Sequence, residues 1–192
     1  MSQTFQVPSE WKSEKWWNNR PLPERTFHCK IPRRWKDLTV ELPSKVSSWV
    51  SNYEPGSSLF LTGRSGSGKT SVAVTLLKHF LKEGLAGRFI TSERYIEMLK
   101  DCFENDGLLP EMYSTPYLVR YIQGVFPIVV LDGVGNERET DFSTHEIGSL
   151  IRRRDEDLHS LIITTHLDHA SFVRRYGERV AGSIDNMEVV RV

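Results

Sequence analysis

Cysteine is scarce in this chain: Cys29 and Cys102 are the only two. They form neither a disulfide framework nor a metal-ligand spacing, which excludes small stapled folds and zinc modules. A reducing cytoplasm is the simplest home for such a chain. No apolar run approaches the length of a membrane-spanning helix, and the N-terminus lacks the apolar centre of a signal peptide. An excess of charge is also missing. Lys+Arg and Asp+Glu are both 25, so bulk charge selects no class of partner. There is no internal repeat and no low-complexity tract. What is present is ordinary for a globular chain: 192 residues, 39% hydrophobic and 26% charged. That is one domain with enough apolar residues for a sizeable core.

The informative stretch runs from Ser58 to Ser71. Gly63, four further residues, then Gly68-Lys69-Thr70 complete a phosphate-binding loop pattern. An apolar run (Leu59, Phe60, Leu61) predicts a buried strand leading in. Val72, Val74, Leu76, Leu77, Phe80 and Leu81 predict a helix leading out. The candidate nucleotide-binding residues are Gly63, Arg64, Ser65, Gly66, Ser67, Gly68, Lys69, Thr70 and Ser71. Glycines let successive N–H groups turn inward toward phosphate oxygens, and the new helix N-terminus favours the anion. Lys69 brings a compact positive charge to the terminal phosphates, and the Thr70 hydroxyl is a candidate Mg²⁺ ligand. The pattern predicts binding of a nucleoside triphosphate, with ATP as the first choice.

Ile128-Val129-Val130-Leu131-Asp132 is the second informative stretch. A continuously apolar run predicts a strand buried on both faces. Its terminal Asp132 is the candidate second magnesium ligand. The next residue, Gly133, stands where many such ATPases place an acid that orients the attacking water. That substitution argues against fast hydrolysis. Glu137 and Glu146 are near in sequence, and nothing in the sequence brings either to a γ-phosphate. A further apolar run, Leu161 to Ile163, ends in Thr164-Thr165-His166. Thr165 and His166 are candidates for contacting the γ-phosphate or the water.

Other elements follow from periodicity and capping. A helix is expected from Ser44, as its cap, to about Tyr53, with Val46, Trp49, Val50 and Tyr53 on one face. Gly84 is expected to stop the phosphate-loop helix. Gly87 to Thr91 reads as a strand, and Tyr95, Ile96, Leu99 and Phe103 as a helix that Asn105-Asp106-Gly107 breaks. Pro116 fits a first helical turn. Ser143 to Glu146 reads as a capping box with a Phe142/Ile147 staple, opening a helix that ends in Arg152-Arg153-Arg154. Those arginines are either solvated dipole partners or a basic patch. Asp168 is expected to cap the next helix, and Met187 to Val192 to form an edge strand.

Residues 1 to 30 stand apart. Trp11, Trp16 and Trp17 sit among Lys12, Lys15, Arg20 and Arg25, with Pro8, Pro21 and Pro23 between them. Such an arm folds back on the domain, docks a protein partner, or stacks on single-stranded nucleic acid. The sequence leaves these open.

In order and spacing, these segments resemble the DnaC/IstB-like branch of the AAA+ ATPases, which includes helicase loaders and transposon helper ATPases. The resemblance rests on Ile31 to Trp35, Gly63 to Thr70, Val130 to Gly135, Ile151-Arg152-Arg153, Ile163 to Leu167, and Tyr176 to Val180. It implies an α/β phosphate-loop NTPase core over residues 31–192, a parallel sheet flanked by helices. It implies ATP and Mg²⁺ as cofactors, with Lys69, Thr70 and Asp132 as their ligands. It also implies a sensor at Thr165 or His166 and an adenine pocket lined by Ile31 and Pro32. Arg179 matches a Gly-Glu-Arg element, but the second arginine usual four residues later is Ser183. The implied role is loading a replicative helicase onto single-stranded DNA, with slow hydrolysis and ATP-linked self-assembly. The rival readings are a transposition helper, a non-hydrolysing ATP-gated scaffold and a small-molecule phosphotransferase.

Overall fold

The computed structural model describes residues 29–104 and 115–192. The arm expected over residues 1 to 30 lies outside them except for its last two residues, and so does the Asn105-Asp106-Gly107 break. In chain order, a 3-10 turn (Arg33–Trp35) precedes α1 (Ser44–Ser51), β1 (Leu59–Thr62), α2 (Lys69–Lys82) and β2 (Gly87–Thr91). Next come α3 (Ser92–Glu104), α4 (Thr115–Gly124), β3 (Ile128–Val134), α5 (Asp141–Glu156) and β4 (Ser160–Thr165). The last elements are α6 (His169–Tyr176), α7 (Glu178–Asp185) and β5 (Glu188–Arg191).

The five strands form one sheet in the order β2-β3-β4-β1-β5, every neighbouring pair parallel. Each βαβ crossover puts a helix on a face, so the inner strands are buried on both sides and read as unbroken apolar runs. Alternation along β1 shows how the core divides. Phe60 joins the cluster beneath α3, α5, α6 and α7, while Leu59 and Leu61 join the cluster beneath α1 and α2. In β3, Val129 and Leu131 take the first side and Ile128 and Val130 the second.

Helix α2 buries Val72, Val74, Leu76, Leu77, Phe80 and Leu81, as its periodicity predicts. Gly84, at φ +92°, ends it. Leu85 N donates to Phe80 O at 2.9 Å and Gly84 N to Leu81 O at 3.3 Å, the paired bonds of a Schellman stop. Asp168 caps α6 as expected, its Oδ1 accepting from Ser171 N at 2.8 Å.

Three expectations need correction. Helix α1 ends at Ser51 rather than Tyr53, and Ser44 lies inside it, with Pro43 in the cap position. Helix α5 starts two residues earlier than its reading from Ser143. Thr140 is the cap, and Ser143 closes a reciprocal box with it, so Phe142 and Ile147 do not occupy staple positions. The arginine run reaches the last turn of that helix through Arg153 and Arg154, as expected, but it does not form a solvated patch throughout. Arg154 is fully buried and donates to Ile122 O, Phe126 O and Ser160 O at 2.7–2.8 Å. It ties the end of α4 to the starts of β3 and β4.

Candidate nucleotide site

The phosphate loop spans residues 63–68, between the end of β1 and the start of α2. Gly68 occupies the cap of α2 at φ +98°, a left-handed conformation that costs an L side chain roughly 1–2 kcal/mol. Lys69 is buried at the first position of α2. Its Nζ donates to Gly63 O at 2.8 Å and Arg64 O at 2.7 Å. The ammonium therefore sits inside its own loop. Burial pushes it below its ordinary pKa, and the nearby Asp132 carboxylate opposes that.

Asp132 comes to the same place from β3. Its Oδ1 accepts from Thr70 Oγ1 at 2.8 Å and from Thr164 Oγ1 at 2.7 Å. Strand β4 lies between β1 and β3, which carries Thr164 to the carboxylate. A hydroxyl and a carboxylate at this separation are hard-oxygen donors that fit Mg²⁺, with water and phosphate oxygens completing an octahedron. Among the described residues no group of three His, Cys, Asp or Glu could hold a metal by itself. The site therefore suits a cation that arrives with a phosphate.

Gly133 is built into this network by its backbone. Its N–H donates to Thr164 Oγ1 at 2.9 Å, and its carbonyl accepts from Ser92 Oγ at 2.9 Å and Asn136 N at 2.9 Å. Its φ is +72°, and a Cβ there would fall 2.7 Å from Asn136 Nδ2. The missing acid thus has a steric counterpart: this turn is shaped for glycine.

Glu137 does not replace that acid. It is 4% exposed. Arg175 NH2 donates to its Oε1 at 2.9 Å, Gly135 N to its Oε2 at 3.0 Å, and the Tyr176 hydroxyl also donates to Oε1. Both oxygens of this carboxylate have structural partners.

The sensor candidates separate. Thr165 is buried, donates to Val134 O at 2.7 Å and accepts from Leu167 N at 3.1 Å, so its hydroxyl braces the strand end. His166 is exposed. Arg179 is exposed in the first turn of α7, and Ser183 is buried one turn later. Ile31 is buried in the cluster beneath α1 and α2 and Pro32 is half-buried, while their neighbours reach β2: Cys29 O accepts from Phe89 N at 2.8 Å, and the Trp35 ring lies 6.1 Å from Phe89. The order of the sheet puts β2 three strands from β1 and its loop. Thr164 and Ser92 are the members of the network that sequence reading missed. Thr164 differs from Thr165 only by the strand's alternation, which the register of β3 and β4 decides.

No family model matches the chain. The fold and loop define the class, a parallel α/β sheet flanked by helices that carries a phosphate-binding loop pattern after its β1 strand. The solved structures it resembles share that fold. The DnaC helicase loader superposes with a TM-score of 0.71 at 24% identity, covering 84% of this chain and 99% of that one. DnaI gives 0.68 at 17% identity, covering 84% and 94%. Replication initiator DnaA bound to AMPPCP and single-stranded DNA gives 0.65 at 11%, covering 85% and 51%.

More particularly, the chain resembles the DnaC-type helicase loaders in sequence as well as fold. The replicative helicase loader DnaC of Escherichia coli (strain K12) is 24% identical over 138 residues, 71% of this chain. The chain spans about half, 54%, of that relative's length.

Proposed function

We propose that this protein is an ATP-controlled helicase loader, binding a replicative helicase and placing it on single-stranded DNA in the cytoplasm. The observation that carries the nucleotide part is the contact between Thr70 and Asp132, 2.8 Å apart across the phosphate loop. In this reading Lys69 and the loop N–H groups from Gly63 to Ser71 hold the triphosphate, and Thr70 and Asp132 hold its Mg²⁺. The ion supplies charge neutralisation at the phosphates when bound. Triphosphate oxygens offer Lys69 better partners than the carbonyls of Gly63 and Arg64. Its release changes the loop and gives nucleotide the differential affinity that a two-state switch requires. The likeness to DnaC and DnaI supports a replicative helicase as partner. DnaA, a more distant structural neighbour, was solved with single-stranded DNA bound, which supports the same ligand here.

Hydrolysis is slow in this reading. Gly133 carries no acid, Glu137 is locked, and Ser183 offers no arginine to a neighbouring copy. A non-hydrolysing ATP-gated scaffold is the second reading, and the same lock on Glu137 favours it.

Phosphate release by the pure protein, with and without single-stranded DNA, tests the pair, with Lys69→Ala as the reference. DNA-stimulated turnover lost in the mutant supports the hydrolysing loader. Tight ATP binding without turnover supports the scaffold. Failure to bind ATP at all, or to co-purify with the replicative helicase in its presence, overturns the loader.

A further inference from the structure

The nucleotide site leaves the opposite edge of the sheet unused. Among the described residues β2 is an edge strand, laddered to β3 alone. Against it runs Lys30-Ile-Pro-Arg-Arg-Trp-Lys36, four cations with no acid among them in a chain of zero net charge. Lys30, Arg33, Arg34 and Lys36 are all exposed.

This segment is held rigidly. Trp35 N donates to Pro32 O at 2.9 Å, and Lys78 Nζ donates to Trp35 O at 2.7 Å and Leu38 O at 2.6 Å. Lys30 adopts φ +57°, a strained conformation for a lysine, and with it lines a cleft of about 420 Å³. Arg88, Thr91 and Arg94 complete its polar wall, and Phe89, Ile90 and Met98 its apolar part. Beside the cleft, Arg34 lies 5.4 Å over the half-buried Trp35 ring. Two acids lie close by: Glu97 pairs with Arg94 at 3.0 Å, and the exposed Asp37, next to Lys36, acts on Lys78 by its charge.

We propose that this β2-edge face, from Lys30 to Lys36 with the adjoining cleft, binds single-stranded DNA. Fixed cations at successive positions match a phosphodiester backbone. An aromatic shelf and a partly apolar cleft match unstacked bases, which an acidic peptide does not offer. The choice of DNA as the nucleic acid rests on the loader reading. The cation set and its geometry do not.

The test is binding of a fluorescent oligothymidylate to the full chain, with no helicase present, over a range of salt. Four phosphate contacts predict a slope of log K against log salt of about −2.8. The variant Arg33→Glu/Arg34→Glu/Lys36→Glu is expected to bind more than about tenfold more weakly, with a slope smaller by about 2. Its affinity for ATP should change little, because the three substituted side chains are exposed and none belongs to the phosphate loop. Arg34→Gln/Lys36→Gln, which only removes charge at exposed positions, is expected to lose part of the affinity and guards against a folding defect. DNA binding that survives both variants, carried by the N-terminal arm or the rest of the chain, overturns the proposal. So does preferential binding of polyglutamate. Lys69→Ala separates the two proposals: it removes ATP binding and leaves this surface intact.

Discussion

Thr164 holds Asp132: its buried hydroxyl donates to Asp132 Oδ1 at 2.7 Å while accepting from Gly133 N at 2.9 Å. One side chain on β4 thereby orients the candidate metal ligand and the backbone beside it. Thr164→Val keeps the shape and removes both bonds, leaving the Gly133 N–H unpaired where the side chain is 2% exposed. The expected cost is about 1–3 kcal/mol of stability, read from denaturant unfolding. Nucleotide binding should also need more Mg²⁺, and Thr164→Ser should restore both. Identical Mg²⁺ titrations for the valine variant and the native protein would show that Asp132 needs no such support.

Restoring the missing acid should not restore hydrolysis. Gly133→Glu places a side chain at φ +72° and pushes its Cβ to 2.7 Å from Asn136 Nδ2. The left-handed conformation alone costs about 1–2 kcal/mol. We expect a lower melting temperature and no gain in phosphate release, because the left-handed strain falls on the backbone that Ser92 and Thr164 hold, while the Asn136 amide can swing aside. Adding Asn136→Gly should recover part of the stability. A clear rise in turnover from Gly133→Glu alone would mean that the turn adapts at little cost.

Sequence patterns carry information about what is periodic and local. The phosphate loop, β3 ending near Asp132 and the Gly84 stop all rest on residue types whose conformational needs are specific, and the fold delivers them. Other features were invisible for physical reasons. The stop of helix α5 uses Leu158 at φ +52°, where glycine is the usual signal. Arg154 reads as surface charge because only three-dimensional packing gathers carbonyls from α4, the loop after it and β4 around a guanidinium. The choice of Thr164 over Thr165 needed the pairing of β3 with β4, shifted between Leu131 and Val134. The lock on Glu137 joins residues 38 or 39 positions apart, beyond any local pattern.

Alkaline pH should expose the buried phenols. Burial pushes Tyr95 from 10.0 up to about 12, although a hydrogen bond from Gln123 works the other way. Its native pKa lies above the unfolded one, so the native state holds more protons between those values. Its stabilising contribution is complete below pH 10 and is lost as pH rises toward about 12, at up to about 1.4 kcal/mol per pH unit. Tyr176 acts in the same direction, its phenol raised by burial and by the adjoining Glu137. Comparing Tyr95→Phe with the native protein isolates one group, and the variant should show the shallower decline. Parallel curves would mean that Tyr95 ionises at its ordinary pKa.

The pair between Arg175 and Glu137 should be a stability element rather than a catalytic one. Their side chains are 14% and 2% exposed. Arg175→Ala leaves a buried carboxylate with its cation gone, at an expected cost of about 3–5 kcal/mol. Replacing both partners with apolar residues should cost less than the single change, because no charge is then stranded. Glu137→Gln should lower stability and leave any residual phosphate release within about twofold once folded protein is matched. A loss of turnover far beyond the loss of folded protein would place Glu137 in the chemistry after all.

Arg154 makes the strongest claim about what holds the far end of the sheet. Its planar guanidinium reaches carbonyls of Ile122, Phe126 and Ser160 at once, a pattern that a lysine cannot copy. Arg154→Met fills similar space and leaves those carbonyls without a donor, at about 1 kcal/mol or more each. We expect a loss of about 3 kcal/mol in urea unfolding, with Arg154→Lys recovering only part of it. The site lies at the start of β3 and β4, while the phosphate loop is beyond the carboxyl ends of the strands, so ATP affinity of the folded fraction should not change. An Arg154→Met protein within about 0.5 kcal/mol of the native one would show that water satisfies those carbonyls as well as the guanidinium does.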